Sequence, residues 1–215
     1  EGNYEDGRRP SWVEYADLEA DVRRRDFTIN GMAFDLSRST VIDLCGGLAD
    51  LREGIIRTIG DPAERFGEDA LRVIRAVRFA ARFGFSLEET TRLAVISAAP
   101  SLGRIARERI WQELQFMITE ERRESAFSIL AELGLLPHVF GPDAVWSPET
   151  IVRTSARLAA LAPDASIVLV LACVLADGVA HTTPDEFADR VGEPYDDEAA
   201  SRAETVLASL RADRK

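Results

Sequence analysis

Arg65-Phe66-Gly67-Glu68-Asp69-Ala70-Leu71-Arg72-Val73-Ile74-Arg75-Ala76-Val77-Arg78-Phe79-Ala80-Ala81-Arg82 is the stretch that decides the fold. At about 100° per residue, Arg65, Arg72, Arg75, Arg78 and Arg82 fall within a sector of roughly 140°, while Val73, Ala76, Val77, Ala80 and Ala81 take most of the opposite side. One face belongs to a core and the other is a ladder of guanidinium groups. Asp61-Pro62 is a helix-start signal and Gly84 a stop, so the pattern predicts one helix from about residue 62 to 83. On periodicity alone the polar face reads most simply as a solvated surface, with Glu68 and Asp69 tied to Arg72 at i,i+4 and i,i+3.

Outward from this helix, everything toward the C-terminus reads as helical. Helices are predicted over Leu87–Ala98, Arg104–Thr119, Ser125–Leu133, 149–161, 165–176, 184–191 and 198–211, with Leu135-Leu136-Pro137 closing one unit. Toward the N-terminus the pattern is mixed. Trp12–Tyr15 is a strand candidate, and Phe27–Phe34 reads as a short helix led by Arg23-Arg24-Arg25-Asp26. The β-branched runs Thr40–Leu44 and Ile55–Ile59, separated by Gly46-Gly47 and a helical turn near Ala49–Glu53, read as two strands of one small sheet. The expected class is therefore α+β, a short sheet followed by an all-helical remainder.

Composition narrows the functions. The chain has 215 residues, 46% of them hydrophobic, enough for a substantial core. The net charge of −11 argues against a non-specific nucleic-acid coat. Residues 1–124 carry 19 Arg against 23 acids, whereas 125–215 carry 7 basic residues against 14 acids, so the usable positive charge sits in the first part. Lys215 is the one lysine. Genomic composition bias is the simplest reason for that usage, although arginine is also the residue suited to bidentate contacts with phosphates and base edges. Cys45 and Cys173 lie far apart, with no partner at ligand spacing, and read as small buried hydrophobes of a reducing compartment. The longest apolar run, Ala165–Ala176, has 12 residues and reads as a buried helix, too short to span a bilayer. Glu1 opens a polar stretch without initiator Met or secretory signal, so the sequence is expected to begin inside a longer protein.

Asp69 and Arg72 suggest chemistry beyond a surface ion pair. Cytosine and adenine each present an exocyclic amine beside a ring-nitrogen acceptor; uracil and guanine present a carbonyl beside a ring N–H. A carboxylate next to a guanidinium supplies an acceptor and a donor, the pattern that takes C and A and rejects U and G. Arg75 and Arg78 are then candidates for the triphosphate. Arg24-Arg25-Asp26, followed by Asn30, reads by itself as a helix-entry cluster or basic patch. Asp43-x3-Gly47-x2-Asp50-Leu51-x5-Arg57 reads by itself as strand, glycine turn and strand.

In this order and spacing, over about residues 8–120, these strings resemble the class II tRNA nucleotidyltransferase and bacterial poly(A) polymerase family, whose best-known member is the CCA-adding enzyme. Arg24–Asn30 resembles its RRD motif for ribose, with Gly31 where Ala is usual. That implies Arg25 at the sugar or phosphate and Asp26 orienting it. Asp43–Arg57 is similar to its hinge motif, and Glu68-Asp69-x2-Arg72 to the EDxxR motif that templates the incoming base. Arg75 and Arg78 stand at further nucleotide-contacting positions, and Arg109-x3-Glu113 resembles the motif that supports the templating helix.

The resemblance thus implies nucleotide binding by Arg25, Asp26, Asp69, Arg72, Arg75 and Arg78, supported by Arg24, Asn30, Asp43, Gly47, Asp50, Arg57, Glu68, Arg109 and Glu113. It implies a truncated nucleotidyltransferase head in residues 1–60, a helical neck in 61–140 and a body or tail in 141–215. Its implied partners are CTP, ATP and the 3′ end of tRNA or another RNA, in the cytoplasm and away from membranes. The family's Gly-Gly phosphate-binding turn and the Asp-x-Asp pair that holds two Mg²⁺ ions have no counterpart before Asp26. Asp6, Glu14, Asp17 and Asp21 precede it, none in a Gly-Ser or Asp-x-Asp context, and Glu14, on a strand candidate, is the acid to weigh for that place. The catalytic carboxylates and their Mg²⁺ are therefore expected upstream of Glu1, and the fragment alone is expected to be inactive. Poly(A), CC-adding and A-adding relatives remain alternatives, as does a non-catalytic RNA-binding scaffold, which has no need of Asp69.

Overall fold

The computed structural model describes residues 17–118, 122–141 and 144–178. The Trp12–Tyr15 strand candidate with Glu14, and the helices expected near 184–191 and 198–211, lie outside the described residues.

The N-terminal part is α+β, as expected, with its elements arranged differently. Helix α1 (Leu18–Arg23) leads through a single 3₁₀ turn, Thr28–Asn30, into β1 (Met32–Asp35). The short helix expected over Phe27–Phe34 is therefore only that turn. Its second half pairs antiparallel with β2 (Thr40–Asp43), Met32 opposite Asp43 and Phe34 opposite Val41. Sheet hydrogen bonds to a distant strand outweigh local helical spacing here. The two strands read as neighbours also separate: β3 (Ile55–Ile56) runs parallel to β4 (Ser86–Leu87), a strand hidden in the sequence between two helices. Between β2 and β3 lies α2 (Gly47–Glu53). Asp43 accepts hydrogen bonds from the amides of Cys45 (3.2 Å), Gly47 (2.9 Å) and Leu48 (2.9 Å). The Leu48 amide foremost, helped by those of Gly47 and Cys45, holds the Asp43 carboxyl below its usual range.

The helix expected from 62 to 83 is two. Helix α3 (Pro62–Glu68) begins at Asp61, whose carboxylate accepts from the amides of Ala63 (2.8 Å) and Glu64 (3.2 Å). The chain then extends at Asp69 (φ −147°, ψ 102°) and re-enters a helix, α4 (Leu71–Phe83), which ends at Gly84 with φ +68°. Asp69 Oδ1 accepts from the Leu71 amide at 3.1 Å, so the acid that the helical wheel placed within a helix caps the start of the next one. Val73, Ala76, Val77, Ala80 and Ala81 are all buried, as the periodicity requires.

Around α4 stand α5 (Glu89–Ala98), a 3₁₀ segment Ala99–Arg104, α6 (Arg107–Ile118) and α7 (Arg123–Glu132). Next come α8 (Leu136–Phe140), which starts where Pro137 suggested an end, then α9 (Pro148–Ala160) and α10 (Ile167–Gly178). One continuous core runs from Phe27 to Ala176. The apolar run is the buried α10, and among the described residues no helix is long and apolar enough to cross a membrane. Cys173 is buried, Cys45 only partly, and both are free thiols.

Two measurements follow from this packing. A Cβ at Gly47 collides with the Thr28 carbonyl, whereas one at Gly67 meets nothing within 4 Å. Gly47→Ala is expected to cost about 1–3 kcal/mol and Gly67→Ala to add about 0.5–1 kcal/mol, read as opposite shifts in Tm. The second concerns Glu88, which caps α5. Burial pushes its carboxyl up, but hydrogen bonds from Thr90 Oγ1 (2.7 Å) and the Thr91 amide (2.9 Å) win and hold it at about 2. A depressed folded-state pKa stabilises above the unfolded value and is lost on acidification. Wild type should therefore lose Tm between about pH 4.5 and 2 more steeply than Glu88→Gln.

Candidate functional site

Asp26, only 8% exposed, joins the N-terminal part to the helices. Its Oδ1 accepts from the Phe27 amide and from Asn30 Nδ2, each at 2.9 Å. Its Oδ2 takes Arg75 of α4 in a two-point contact, 2.8 Å from Nε and 2.7 Å from Nη2. Arg75 also reaches Glu113 of α6, Nη1 to Oε1 at 3.3 Å, and Glu113 Oε2 lies 2.9 Å from Arg78 Nε. Asp26, Arg75, Glu113 and Arg78 thus form a string of alternating charge. Burial works against the charge on Arg75, yet Asp26 and then Glu113 raise its pKa above the usual value.

The other sequence candidates take up different partners from those expected. Arg25 is not oriented by Asp26. Its Nε and Nη2 donate to Asp21 Oδ2 (3.0 and 2.7 Å) and its Nη1 to the Asn30 carbonyl (2.7 Å). Asp21, shared between Arg24 and Arg25, has its carboxyl held below the usual range by hydrogen bonds from the two. The sequence signal for Asp21 was its position four residues ahead of Arg25, a spacing that pairs side chains on a helix. Arg72 donates from Nη1 to Glu68 Oε2 (2.8 Å) and the Arg65 carbonyl (3.0 Å), and from Nη2 to the Arg24 carbonyl (2.9 Å). Asp69 Oδ2 accepts from Arg109 Nη2 at 3.0 Å, across 40 residues of sequence.

A cleft of about 520 Å³ collects Arg25, Asp26, Asn30, Asp69, Arg72, Arg75 and Arg109. Its wall also includes Leu71 and Phe79, which sequence reasoning did not single out. Arg78 is not part of the wall. It is 9% exposed, its guanidinium lying 4.6 Å from the centroid of Phe79 and 5.2 Å from that of Phe116. Asp43, Gly47, Asp50 and Arg57 form a separate buttress under the Thr28–Asn30 turn. Asp50 accepts from Thr28 Oγ1 (2.6 Å) and Arg57 Nε (3.2 Å), and Arg57 Nη1 lies 3.5 Å from Glu88. A neighbouring hollow of about 550 Å³ opens beyond Asp69 and Arg109. Its walls mix small apolar residues with Ser97, Ser101 and Arg104, and of the candidates it gathers only Glu68, Asp69 and Arg109.

Among the described residues no three Asp, Glu, His or Cys side chains stand together as ligands for a metal ion. Each acid of the cleft is already matched to a cation, Asp26 to Arg75 and Asp69 to Arg109. These residues do not fit a two-Mg²⁺ site.

What the cleft does offer is donors and acceptors for a nucleotide. A carboxylate oxygen has two lone pairs, so each Asp69 oxygen retains one beyond its bond to Leu71 or Arg109. Arg72 uses three of its five N–H donors internally, leaving Nε–H and one on Nη2. A base edge presenting an amine and a ring-nitrogen acceptor matches that remainder.

Comparison with known proteins agrees. Residues 1–57 match the poly A polymerase head domain, and residues 84–146 match the probable RNA and SrmB-binding site of polymerase A. This is a nucleotidyltransferase-type head followed by a helical RNA-binding segment. The chain belongs to the class II tRNA nucleotidyltransferase and bacterial poly(A) polymerase family. It is 44% identical over 141 residues to a CCA-adding enzyme of Bacillus licheniformis, covering 65% of this chain and 35% of that protein. With the CCA-adding enzyme of Geobacillus stearothermophilus it shares 43% over 147 residues, 66% of this chain and 36% of the other. The chain thus spans about a third of the length of these relatives. The crystal structure of the Bacillus stearothermophilus CCA-adding enzyme in complex with CTP superposes with a TM-score of 0.75 at 32% identity, covering 93% of this chain and 48% of that one. A tRNA nucleotidyltransferase complexed with a primer tRNA and an incoming ATP analog gives a TM-score of 0.76 at 26% identity, covering 92% of this chain and 60% of that one.

Glu113 is the hinge of the charge string. Glu113→Gln sets Arg75 and Arg78 side by side with no acid between them. Allowing for the 31% exposure of Arg75, it is expected to lower stability by about 2 kcal/mol in urea titration.

Proposed function

We propose that the chain is the nucleotide-selecting part of a template-independent RNA 3′-end nucleotidyltransferase that adds C, A or both to tRNA from CTP and ATP. The observation that carries this reading is the single cleft into which Asp69, Arg72, Arg25 and Asp26 converge from separate segments. In the reaction the RNA 3′-hydroxyl attacks the α-phosphate of the nucleoside triphosphate and pyrophosphate leaves. Carboxylates outside the described residues would hold Mg²⁺, which would neutralise charge on the phosphates.

This chain's residues bind and select. Asp69 accepts from the exocyclic amine of C or A, and Arg72 donates to the ring nitrogen. Arg109 keeps the Asp69 carboxylate turned toward the cleft, and Glu68 with the Arg24 carbonyl does the same for Arg72. Uracil and guanine bring a carbonyl against the Asp69 carboxylate and an N–H against the guanidinium, and both are rejected. Arg25, steered by Asp21 and the Asn30 carbonyl, meets the sugar or phosphate. Arg75 and Arg78 act mainly through Asp26 and Glu113 instead of touching the nucleotide. Because C and A share one edge pattern, the same cleft serves CCA-adding, CC-adding, A-adding and poly(A)-forming enzymes. A head in residues 1–60, a neck in 61–140, a body in 141–215 and a cytoplasmic location belong to the same proposal. The two family matches, ending at 57 and beginning at 84, support the first boundary.

Asp69→Ala in the full-length enzyme leaves the amine of a bound base unpaired, a cost of about 1–3 kcal/mol or roughly ten- to a hundredfold in kcat/KM for CTP and ATP. Incorporation of CTP, ATP, UTP and GTP is the measurement, and discrimination should fall with rate. Retained selectivity with only a lower Tm would instead support a scaffold whose Asp69–Arg109 pair is structural.

A further inference from the structure

Arg65 of α3 is not part of the cleft wall. It reaches the segment that carries Arg25 instead. Its Nη1 donates to the Arg23 carbonyl at the end of α1 (3.0 Å), across 42 residues of sequence, and its Nη2 lies 2.9 Å from Glu68 Oε1. Glu68 passes the contact on through Oε2 to Arg72, which donates in turn to the Arg24 carbonyl. The Arg65 carbonyl closes the circuit by accepting from Arg72 Nη1. Two successive carbonyls at the end of α1 are thus held by two arginines that share one acid. Arg25, the next residue, is steered by Asp21 of the same helix. The Arg65 side chain is 18% exposed, and its Nε is buried without a hydrogen-bond partner among the described residues. Its grip therefore lies in the two ends of the fork.

We infer that Arg65 is a positioning residue that sets the span between Arg25, at the sugar or phosphate, and the base-reading Asp69 and Arg72, and through that span the balance between CTP and ATP. The inference rests on the function proposed above. Cytosine and adenine present the same amine and ring-nitrogen edge, but adenine carries it one fused ring farther from the glycosidic bond. A cleft that grips the sugar or phosphate from one wall and the base edge from the other needs a shorter span for C than for A. After Arg25 the chain is pinned to α4 by the contact of Asp26 with Arg75. Before Arg25 the ties are those of Arg65 and Arg72 to the end of α1. Each draws that end toward α3 and α4. Releasing the Arg65 tie lets Arg25 move outward, which the longer purine nucleotide tolerates and the shorter pyrimidine nucleotide does not. Arginine suits this task because its planar fork occupies the Arg23 carbonyl and Glu68 together, whereas lysine has a single nitrogen to place between them.

The test is steady-state addition to tRNA by the full-length enzyme, with CTP and then ATP as the varied nucleotide, for wild type, Arg65→Lys and Arg65→Gln. In Arg65→Gln, kcat/KM is expected to fall about tenfold for CTP and less than about threefold for ATP. Arg65→Lys keeps the charge beside Glu68 and should lie between the two; it carries the same test if the glutamine variant does not fold. Equilibrium binding of CTP and ATP, measured alongside, should move in the same direction. Arg157→Gln breaks an ion pair of similar exposure between α9 and α10, outside the cleft wall. It is expected to lower Tm and leave the CTP to ATP ratio unchanged, which separates loss of span from loss of stability. Equal losses for the two nucleotides, a larger loss for ATP, an unaltered ratio, or the same shift in Arg157→Gln overturns the inference. Its failure is distinguishable from failure of the proposed function. A wild-type enzyme that adds C or A to tRNA while the Arg65 variants keep its ratio refutes only the positioning role. A wild-type enzyme that adds neither refutes the function.

Discussion

The two-point contact between Asp26 and Arg75 is the constraint from which the geometry of the cleft follows. Removing a carboxylate and a guanidinium from water is costly, and their mutual attraction offsets that cost only when the remaining donors and acceptors are also satisfied. Here they are: Asn30 and the Phe27 amide complete Asp26, and Glu113 completes Arg75. Because the two ions lie 49 residues apart, the contact forms only when α4 and the turn after α1 have reached their final positions. It fixes the distance between Arg25 and Asn30 on one wall and Asp69 and Arg72 on the other.

A second cluster holds the same turn from the opposite side. Asp43 gives up its carboxylate to the amides that open α2, and α2 in turn presents Asp50 to Thr28 and Arg57. Arg57 extends the tie to Glu88 at the start of α5. The turn carrying Asp26 and Asn30 is therefore clamped between α4 and α2. Gly47 is required at the contact because any side chain there displaces the Thr28 carbonyl. Preorganisation of this kind is what a site needs if it is to tell one base edge from another, since a loosely held acceptor adapts to either.

Arginine is used here in two ways that a helical wheel does not separate. Arg65, Arg72 and Arg25 fasten backbone carbonyls of Arg23, Arg24 and Asn30, planar forks acting as struts between segments. Arg75 and Arg78 neutralise buried acid. Only the donors left over face the cleft. A cation on the polar side of an amphipathic helix is therefore not by position a ligand contact, and the distinction lies in what else its five donors reach.

The amphipathic helix, its apolar face, the capping Asp61-Pro62 and the stop at Gly84 were legible in the sequence because each depends on residues within a turn or two of one another. The candidate residues were legible only through the resemblance of their strings to a family's motifs, because by themselves Arg24-Arg25-Asp26 and Asp43–Arg57 read as a basic patch and a strand turn. Several features were settled only by tertiary structure. Asp69 leaves the helix to cap α4 and meet Arg109; Arg25 turns to Asp21; β3 pairs with β4 instead of β2; and Arg78 is clasped between two rings. The physical reason is range. Periodicity and capping encode free energies that act along a few residues of backbone. Which of several available partners an ion or strand edge takes depends on which are brought near it when the whole core closes, and on how much water that closure removes from between them.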